Sequence, residues 1–295
     1  MKIEIISTKR ESRLEKALKD AEEINKEFEA EERRKVFETK KKLVFEQKRI
    51  VNKKQTLKNQ SLDDKIEPGL VVAAGNEIYC VEPGRKILVA ERPHWVKTLC
   101  VYKGRLLDGG CYNVIYNTLK KKKVAERPDD IIALCVYKNR LYDGGCYNAV
   151  YDTFKKKIVA ERLIIPVYAL CVYEGRLLDG SHKVIYDTFK NKIVAERPGS
   201  VLALCVYKDR LFDGGDKAVY DTFNNKIVAE RPDWVKTLCV HNGRLFDGVC
   251  KAVYDTFNDK DGNNPLWIFD KKVKAMASVP VALWEKLARK GKVVK

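Results

Sequence analysis

Histidine is scarce in this chain, with three among 295 residues, at positions 94, 182 and 241. No two of them have the short spacing that would bring two imidazoles to one metal ion, and no Cys-x-x-Cys pair accompanies them. A Ser-His-Asp arrangement and a glycine-rich phosphate loop are missing too. These absences leave little for catalysis to use, and neither a metal nor a cofactor is expected. Long apolar runs are absent as well, so nothing approaches the ~20 residues of a bilayer span. The apolar stretch within the opening MKIEIISTKRE is too short for a secretory signal. Nine cysteines in a chain of this kind read as free thiols in a reducing compartment, which places the expected protein in the cytoplasm.

What the chain has in plenty is basic charge. Lys and Arg outnumber Asp and Glu by 58 to 41, for a net charge of +17. The excess is +4 over residues 1–69, +7 over 70–259 and +6 over 260–295. Such a balance favours anionic partners, whether RNA, DNA or an acidic membrane surface, and is also ordinary in lysine-rich soluble proteins.

The second abundance is repetition. Val-Ala-Glu-Arg recurs at Val89, Val124, Val159, Val194 and Val228, in steps of 35, 35, 35 and 34 residues. Each unit is rich in Val, Tyr, Phe, Leu and Ile in short runs, punctuated by pairs such as Gly-Gly, Lys-Gly, Asn-Gly and Asn-Asn. No run is long enough for two helices, and a glycine pair inside a helix would be costly. In the copy LCVYKDRLFDGGDKAVYDTFNNKIVAERP the strand-like pieces are Val201–Tyr207, Arg210–Asp213, Ala218–Phe223 and Lys226–Glu230. Their short connections suit antiparallel hairpins. Four short strands in some 35 residues describe one blade of a propeller.

On the Tyr-Asp pairs Tyr151-Asp152, Tyr186-Asp187, Tyr220-Asp221 and Tyr254-Asp255, residues 70–279 resemble a WD40-like repeat protein, the pairs standing near that family's Trp-Asp. The family's Gly-His pair and the Trp itself are absent. Kelch is a rival label, because Gly144-Gly145 is followed after five residues by Tyr151. The resemblance is one of architecture.

Inner-strand copies begin near Val96, Ile131, Val167, Val201 and Val235, which makes five. Upstream, LVVAAGNEIYCVEPGRKILVAERP (70–93) supplies strands two to four of another blade with no first strand. Downstream, VKAMASV (Val273–Val279) parallels VKTLCVY (Val96–Tyr102). The orphan at one end is the strand missing at the other, and Leu266–Asp270 serves as the outer strand before it. The expected fold is all-β: a six-bladed propeller of four-stranded blades over 70–279, closed by its N- and C-terminal strands.

Residues 1–58 read differently. No Pro or Gly occurs from Arg10 to Leu57, roughly half the positions are charged, and apolar residues fall at sevens at Val36, Leu43, Ile50 and Leu57. A long N-terminal α-helix is expected, either a coiled-coil arm able to make a homo-oligomer or a solvated helix against its own propeller. Residues 59–69 read as a linker. Residues 280–295 read as a short amphipathic helix, with Val281, Trp284, Leu287 and Ala288 on one face, followed by a basic tail.

Candidate sites follow from comparing copies. Cys100, Cys135, Cys171, Cys205 and Cys239 occupy one place on five inner strands, as small space-fillers between blades rather than converging metal ligands. Arg105 with Asp108, Arg140 with Asp143 and Arg210 with Asp213 recur alongside the Glu-Arg of each blade end, and such repeated charges read as fasteners between blades. Function is expected where copies disagree. One face gathers the loops between blades and between second and third strands: His94, Trp95, Tyr112, Tyr147, Ile164, His182 and Trp234. These are protein-binding candidates, with Trp95 and Trp234 either on that surface or packed in blade junctions. The opposite face carries Lys120, Lys121, Lys122, Lys123, Lys155, Lys156, Lys157, Lys190 and Lys192, either a polyanion-binding or a merely solubilising surface. The expected function is a non-enzymatic scaffold for a protein partner, with no membrane insertion. The alternatives are a nucleic-acid- or ribonucleoprotein-associated factor using the lysine face and, last, an enzyme with a site in the central channel.

Overall fold

The structure, a computed structural model, describes residues 69–294 apart from 83, 112, 147, 163 and 164. The helix expected over 1–58 and the linker up to residue 68 lie outside the described residues. Blade 1 holds β1 (Gly69–Ala74), β2 (Glu77–Glu82) and β3 (Arg85–Glu91). Blade 2 holds β4 (Val96–Tyr102), β5 (Arg105–Gly110), β6 (Val114–Asn117) and β7 (Lys122–Glu126). Blade 3 holds β8 (Ile131–Tyr137), β9 (Arg140–Gly145), β10 (Ala149–Asp152) and β11 (Lys157–Glu161). Blade 4 holds β12 (Ala169–Tyr173), β13 (Arg176–Gly180), β14 (His182–Asp187) and β15 (Lys192–Ser200). Blade 5 holds β16 (Ala203–Tyr207), β17 (Arg210–Gly214), β18 (Ala218–Asp221) and β19 (Lys226–Glu230). Blade 6 holds β20 (Val235–His241), β21 (Arg244–Val249), β22 (Ala252–Asp255) and the short β23 (Trp267–Ile268). The chain ends with β24 (Val273–Val279), α1 (Val281–Lys290) and β25 (Lys292–Val294).

Each sheet is antiparallel and runs in sequence order, with one exception. In blade 1 the order is β24-β1-β2-β3-β25, so the chain's last long strand becomes the inner strand of its first blade. Leu70 faces Ser278, Val71 faces Ala277 and Val72 faces Met276. This is the closure expected from the parallel between VKAMASV and VKTLCVY. The hairpins joining first and second strands place both loop residues at positive φ, as in Lys138 (47°) with Asn139 (59°) and Glu174 (48°) with Gly175 (71°). That two-residue geometry matches the right-handed twist of the strands it joins.

Beyond α1, Lys292–Val294 of the basic tail pairs with β3, Val293 opposite Ile87, as a fifth strand of blade 1. An outer edge is thereby covered. Helix α1 docks on the same blade with Leu283 and Leu287 buried beside Ile87 and Val279, while Trp284 and Ala288 pack at the margin. Leu283 was absent from the face read in the sequence. A Cβ on Gly69 would sit 1.6 Å from Trp284 Cδ1, so the close approach of the indole depends on glycine there.

Blades are fastened by a recurring latch. The Arg ending one blade reaches the Asp of the next blade's second strand, and both side chains are buried. Arg162 Nε and Nη2 donate to Asp179 Oδ2 and Oδ1 at 2.8 and 2.5 Å, and Thr188 Oγ1 donates to Oδ1 at 2.8 Å. The guanidinium lies over the Tyr186 ring, 4.3 Å from its centroid. The pairs Arg92–Asp108, Arg127–Asp143, Arg197–Asp213 and Arg231–Asp247 repeat it. Recurrence alone had set Arg140 beside Asp143. In the structure Arg140 pairs with Asp152 at 2.9 Å, and Asp143 belongs to the preceding blade's Arg127. The Tyr of each Tyr-Asp is thus the platform under the latch, while its Asp accepts from the following turn, as Asp152 Oδ1 does from Lys155 N at 3.2 Å. The glycine after the latch Asp admits the next blade: a Cβ on Gly144 would lie 2.6 Å from Val167 Cγ1.

The seam between blades 6 and 1 has no such latch. Strand register puts Val72 where the Asp would be, Val81 where the Thr would be, and Phe269 where the Arg would be. All three are buried in one cluster, and Phe269 meets Tyr79 with ring centroids 5.4 Å apart, in place of guanidinium on tyrosine. His241 also sits here, where β4, β8, β12 and β16 end in Tyr, its Nδ1 3.5 Å from Ser278 Oγ.

Two outcomes are expected. Arg162→Met strands a buried carboxylate and costs about 3–5 kcal/mol. The triple change R162F/D179V/T188V, which copies the seam, recovers most of that loss in urea unfolding of the full chain. Burial, with Arg244 nearby, lowers the His241 pKa to about 4, so the folded chain binds fewer protons than the unfolded chain, whose histidine titrates near ~6.5. Stability from this group is therefore present above that window and lost as pH falls from about 6.5 to 4. The urea midpoint of wild type should drop over this range relative to that of His241→Phe.

Candidate binding face and channel mouth

The loops that enter the inner strands and those that leave the second strands lie at one end of the blades, by the antiparallel order of each sheet. Trp95 and Trp234 are on this face and stay exposed, at 52% and 45%, rather than filling blade junctions. Lys236 Nζ lies 4.1 Å from the Trp234 ring centroid, and Lys274 Nζ lies 4.9 Å from that of Trp95. Trp234 enters blade 6 and Trp95 enters blade 2, so Lys274 on blade 1 stands between them. His94 is half-buried beside Trp95. His182 is exposed on blade 4, across the ring, as the first residue of β14, with Nδ1 3.0 Å from Ser200 Oγ. Tyr112, Tyr147 and Ile164 lie outside the described residues. The four described candidates, His94, Trp95, His182 and Trp234, therefore stand on blades 2, 4 and 6 around the channel rather than in one compact patch.

At the centre of this face the inner strands enclose a cavity of about 370 Å³. Its rim takes the second residue of each inner-strand copy: Lys97, Ile132, Tyr168, Leu202, Lys236 and Lys274. Two residues deeper, Leu99, Leu134, Leu170, Leu204, Leu238 and Met276 make an apolar ring, each no more than 9% exposed. The deeper ring is uniform. The rim is divided, with lysines on blades 6, 1 and 2 and apolar residues on blades 3, 4 and 5. None of the six rim residues was singled out from the sequence. The signal is nonetheless present in the sequence, because near-identical copies disagree at this strand position as they do in the loops.

The three lysines differ electrostatically. Lys97 Nζ is 2.7 Å from Asp130 Oδ2, and this partner holds its pKa above the usual value against the effect of burial. Lys236 and Lys274 have no carboxylate at ion-pair distance among the described residues. Burial lowers the Lys236 pKa to about 8, aided by repulsion from Lys274 and Lys272 and opposed by Asp233 and Asp216. Burial lowers the Lys274 pKa as well, aided by repulsion from Lys272 and Lys97 and opposed by Cys111 and Asp233.

On the other face Lys120–Lys123, Lys155–Lys157, Lys190 and Lys192 are all exposed, on the turns that open the outer strands of blades 2, 3 and 4. Aromatic rings lie among them. Phe154, Phe189 and Phe223 are exposed at 50%, 47% and 48%, each against the tyrosine ending the preceding blade's inner strand. The ring centroids are 5.5 Å apart for Tyr102–Phe154 and 5.6 Å for Tyr137–Phe189. Lys103 and Lys138 lie over Tyr102 and Tyr137. The cysteines of the inner strands lie between blades, where burial pushes the thiols of Cys100, Cys135 and Cys205 up to about 12. Among the described residues no helix is long and apolar enough to cross a membrane, and no group of three His, Cys, Asp or Glu is placed to hold a metal ion.

No family model matches the sequence, and no curated protein matches it. Among solved structures the chain is similar to the RRP9 WD40 repeats, at 11% identity and TM-score 0.47, over 72% of this chain and 88% of that one. It is similar to the WD40 propeller domain of Doa1 at 15% identity and TM-score 0.42, over 63% and 78% of the two chains. It is also similar to the computationally designed protein Ika8, at 13% identity and TM-score 0.41, over 70% and 76%.

With its pKa lowered to about 8, Lys236 carries far more free amine at pH 8 than a lysine of ordinary pKa. Brief acetylation at that pH, read by peptide mass spectrometry, should modify Lys236 well ahead of Lys120 or Lys155. From its strand order and its blade count, residues 69–294 form a six-bladed β-propeller sealed by β24.

Proposed function

We propose that this chain is a non-enzymatic interaction scaffold that binds a protein partner through the face carrying Trp95 and Trp234. The observation behind this reading is the exposure of both indoles, each backed by a lysine beside a concave channel mouth. Buried aromatic anchors dominate the energetics of protein interfaces, and an exposed tryptophan on a rigid scaffold loses little conformational freedom on binding. The charges that recur from blade 2 to blade 6 are engaged in latches and turns, which leaves them unsuited to catalysis. A cytoplasmic setting suits the nine unpaired cysteines.

A second reading has its own observation. On the opposite face, lysines on three consecutive blades are interleaved with exposed phenylalanines, the combination that holds single-stranded nucleic acid by phosphate contact and base stacking. Any homo-oligomer formed through residues 1–58 would be additional to either surface.

Capture from native extract, with and without nuclease, separates the two. A partner bound through the first face survives nuclease, is lost or weakened at least about tenfold by W95A/W234A, and is retained when Lys120–Lys123 and Lys155–Lys157 are changed to Glu. The opposite pattern, with oligonucleotide affinity that falls steeply as salt rises, supports the second reading. Oligonucleotide affinity that ignores salt eliminates phosphate recognition.

A further inference from the structure

The rim of the channel mouth divides the ring in half. Lys236, Lys274 and Lys97 follow one another on three adjacent blades, and Ile132, Tyr168 and Leu202 follow on the other three. Beneath both halves the floor is apolar, and the enclosed volume of about 370 Å³ is in the range of small-ligand pockets. Lys97 is neutralised by Asp130, whereas among the described residues Lys236 and Lys274 have no carboxylate at ion-pair distance. Two half-buried ammonium groups held near one another repel, and an anion placed between them relieves that repulsion in a site where water screens poorly. An ordinary inorganic anion would leave the apolar half of the rim and the floor in contact with water.

We propose that the channel mouth is a site for a small amphipathic carboxylate, its anion between Lys236 and Lys274 and its apolar body against Ile132, Tyr168, Leu202 and the leucine floor. The site goes beyond the protein-binding reading and does not depend on it, since the cavity is lined by this chain's own inner strands. Trp234 and Trp95 stack on the two lysines and so report on occupancy. The groups that set the charge here are Lys236, Lys274, Lys272 and Lys97 with Asp233, Asp216, Asp130 and Cys111. Lys236 loses its proton as pH rises through about 8, so affinity for a carboxylate should fall above that pH.

The test titrates the full chain with sodium decanoate, below its micelle-forming concentration, following tryptophan fluorescence and calorimetric heat. One decanoate per chain is expected, with slower acetylation of Lys236 in the occupied protein. K236Q/K274Q should lower decanoate affinity at least about tenfold, and I132S/L202S should lower it as well. Acetate and decanol, each lacking one half of the ligand, should bind far more weakly. The assignment is overturned if no saturable decanoate binding occurs, if decanol binds as tightly, if acetate competes equally, or if K236Q/K274Q leaves decanoate affinity unchanged. The acetylation readout uses the wild-type chain, so a variant that fails to fold does not remove the test. Loss of protein capture in W95A/W234A with decanoate binding retained would separate this site from the partner surface.

Discussion

The pairing of Val273–Val279 with Gly69–Ala74 is the contact on which the rest of the ring depends. Without it blade 1 lacks its inner strand, β1 presents an open edge, and the channel has no sixth wall. Joining partners some two hundred residues apart carries a loop-closure entropy cost, and the chemistry of the seam suits a contact made across so long a loop. A bidentate arginine–carboxylate latch requires alignment and leaves a costly buried charge when it is incomplete. Phe269, Val72, Val81 and Tyr79 instead make a contact that is non-directional and tolerates imperfect approach. One chain thus contains both solutions to the same junction, five ionic and one apolar.

The division between repeated and unrepeated residues sorts structure from function. Arg, Asp, Thr and Tyr recur because every ionic junction needs the full set, the carboxylate to satisfy the guanidinium, the hydroxyl to satisfy the carboxylate, and the ring to cover the guanidinium's face. Glycine follows the Asp because the next blade's inner strand lies against that backbone. The second inner-strand residue is under neither constraint. It borders the channel mouth, where a lysine and an isoleucine are equally compatible with the sheet, so the copies are free to differ there. Lys236 and Ile132 occupy equivalent places in nearly identical blades and confer opposite character on the two sides of one cavity.

The period, the four strands per blade, the blade count and the closure were legible in the sequence, because each rests on local alternation, on turn residues and on a strand-length match between the two ends. The amphipathic character of α1 was legible, but Leu283, buried against blade 1, was not on the face read from its spacing. Other features were not legible. Arg140 and Asp143 looked like partners because they recur together in copy after copy, yet the latch joins Arg127 to Asp143 across a blade boundary that no local pattern marks. Lys292–Val294 is too short to show alternation, and its pairing is decided by the edge that α1 brings it to. Trp95 and Trp234 could be placed on a face but not declared exposed.

By itself, then, the sequence determined which segments become strands, how many blades they make and which two ends must meet, since those follow from short-range periodicity and complementarity. Only the tertiary structure decided which charges pair, that the seam is apolar, and that six residues spaced some 35 positions apart form one rim. Side chains that distant become neighbours only when a closed ring carries each inner strand to the same axis, and that convergence is a property of the assembled sheet rather than of any stretch of chain.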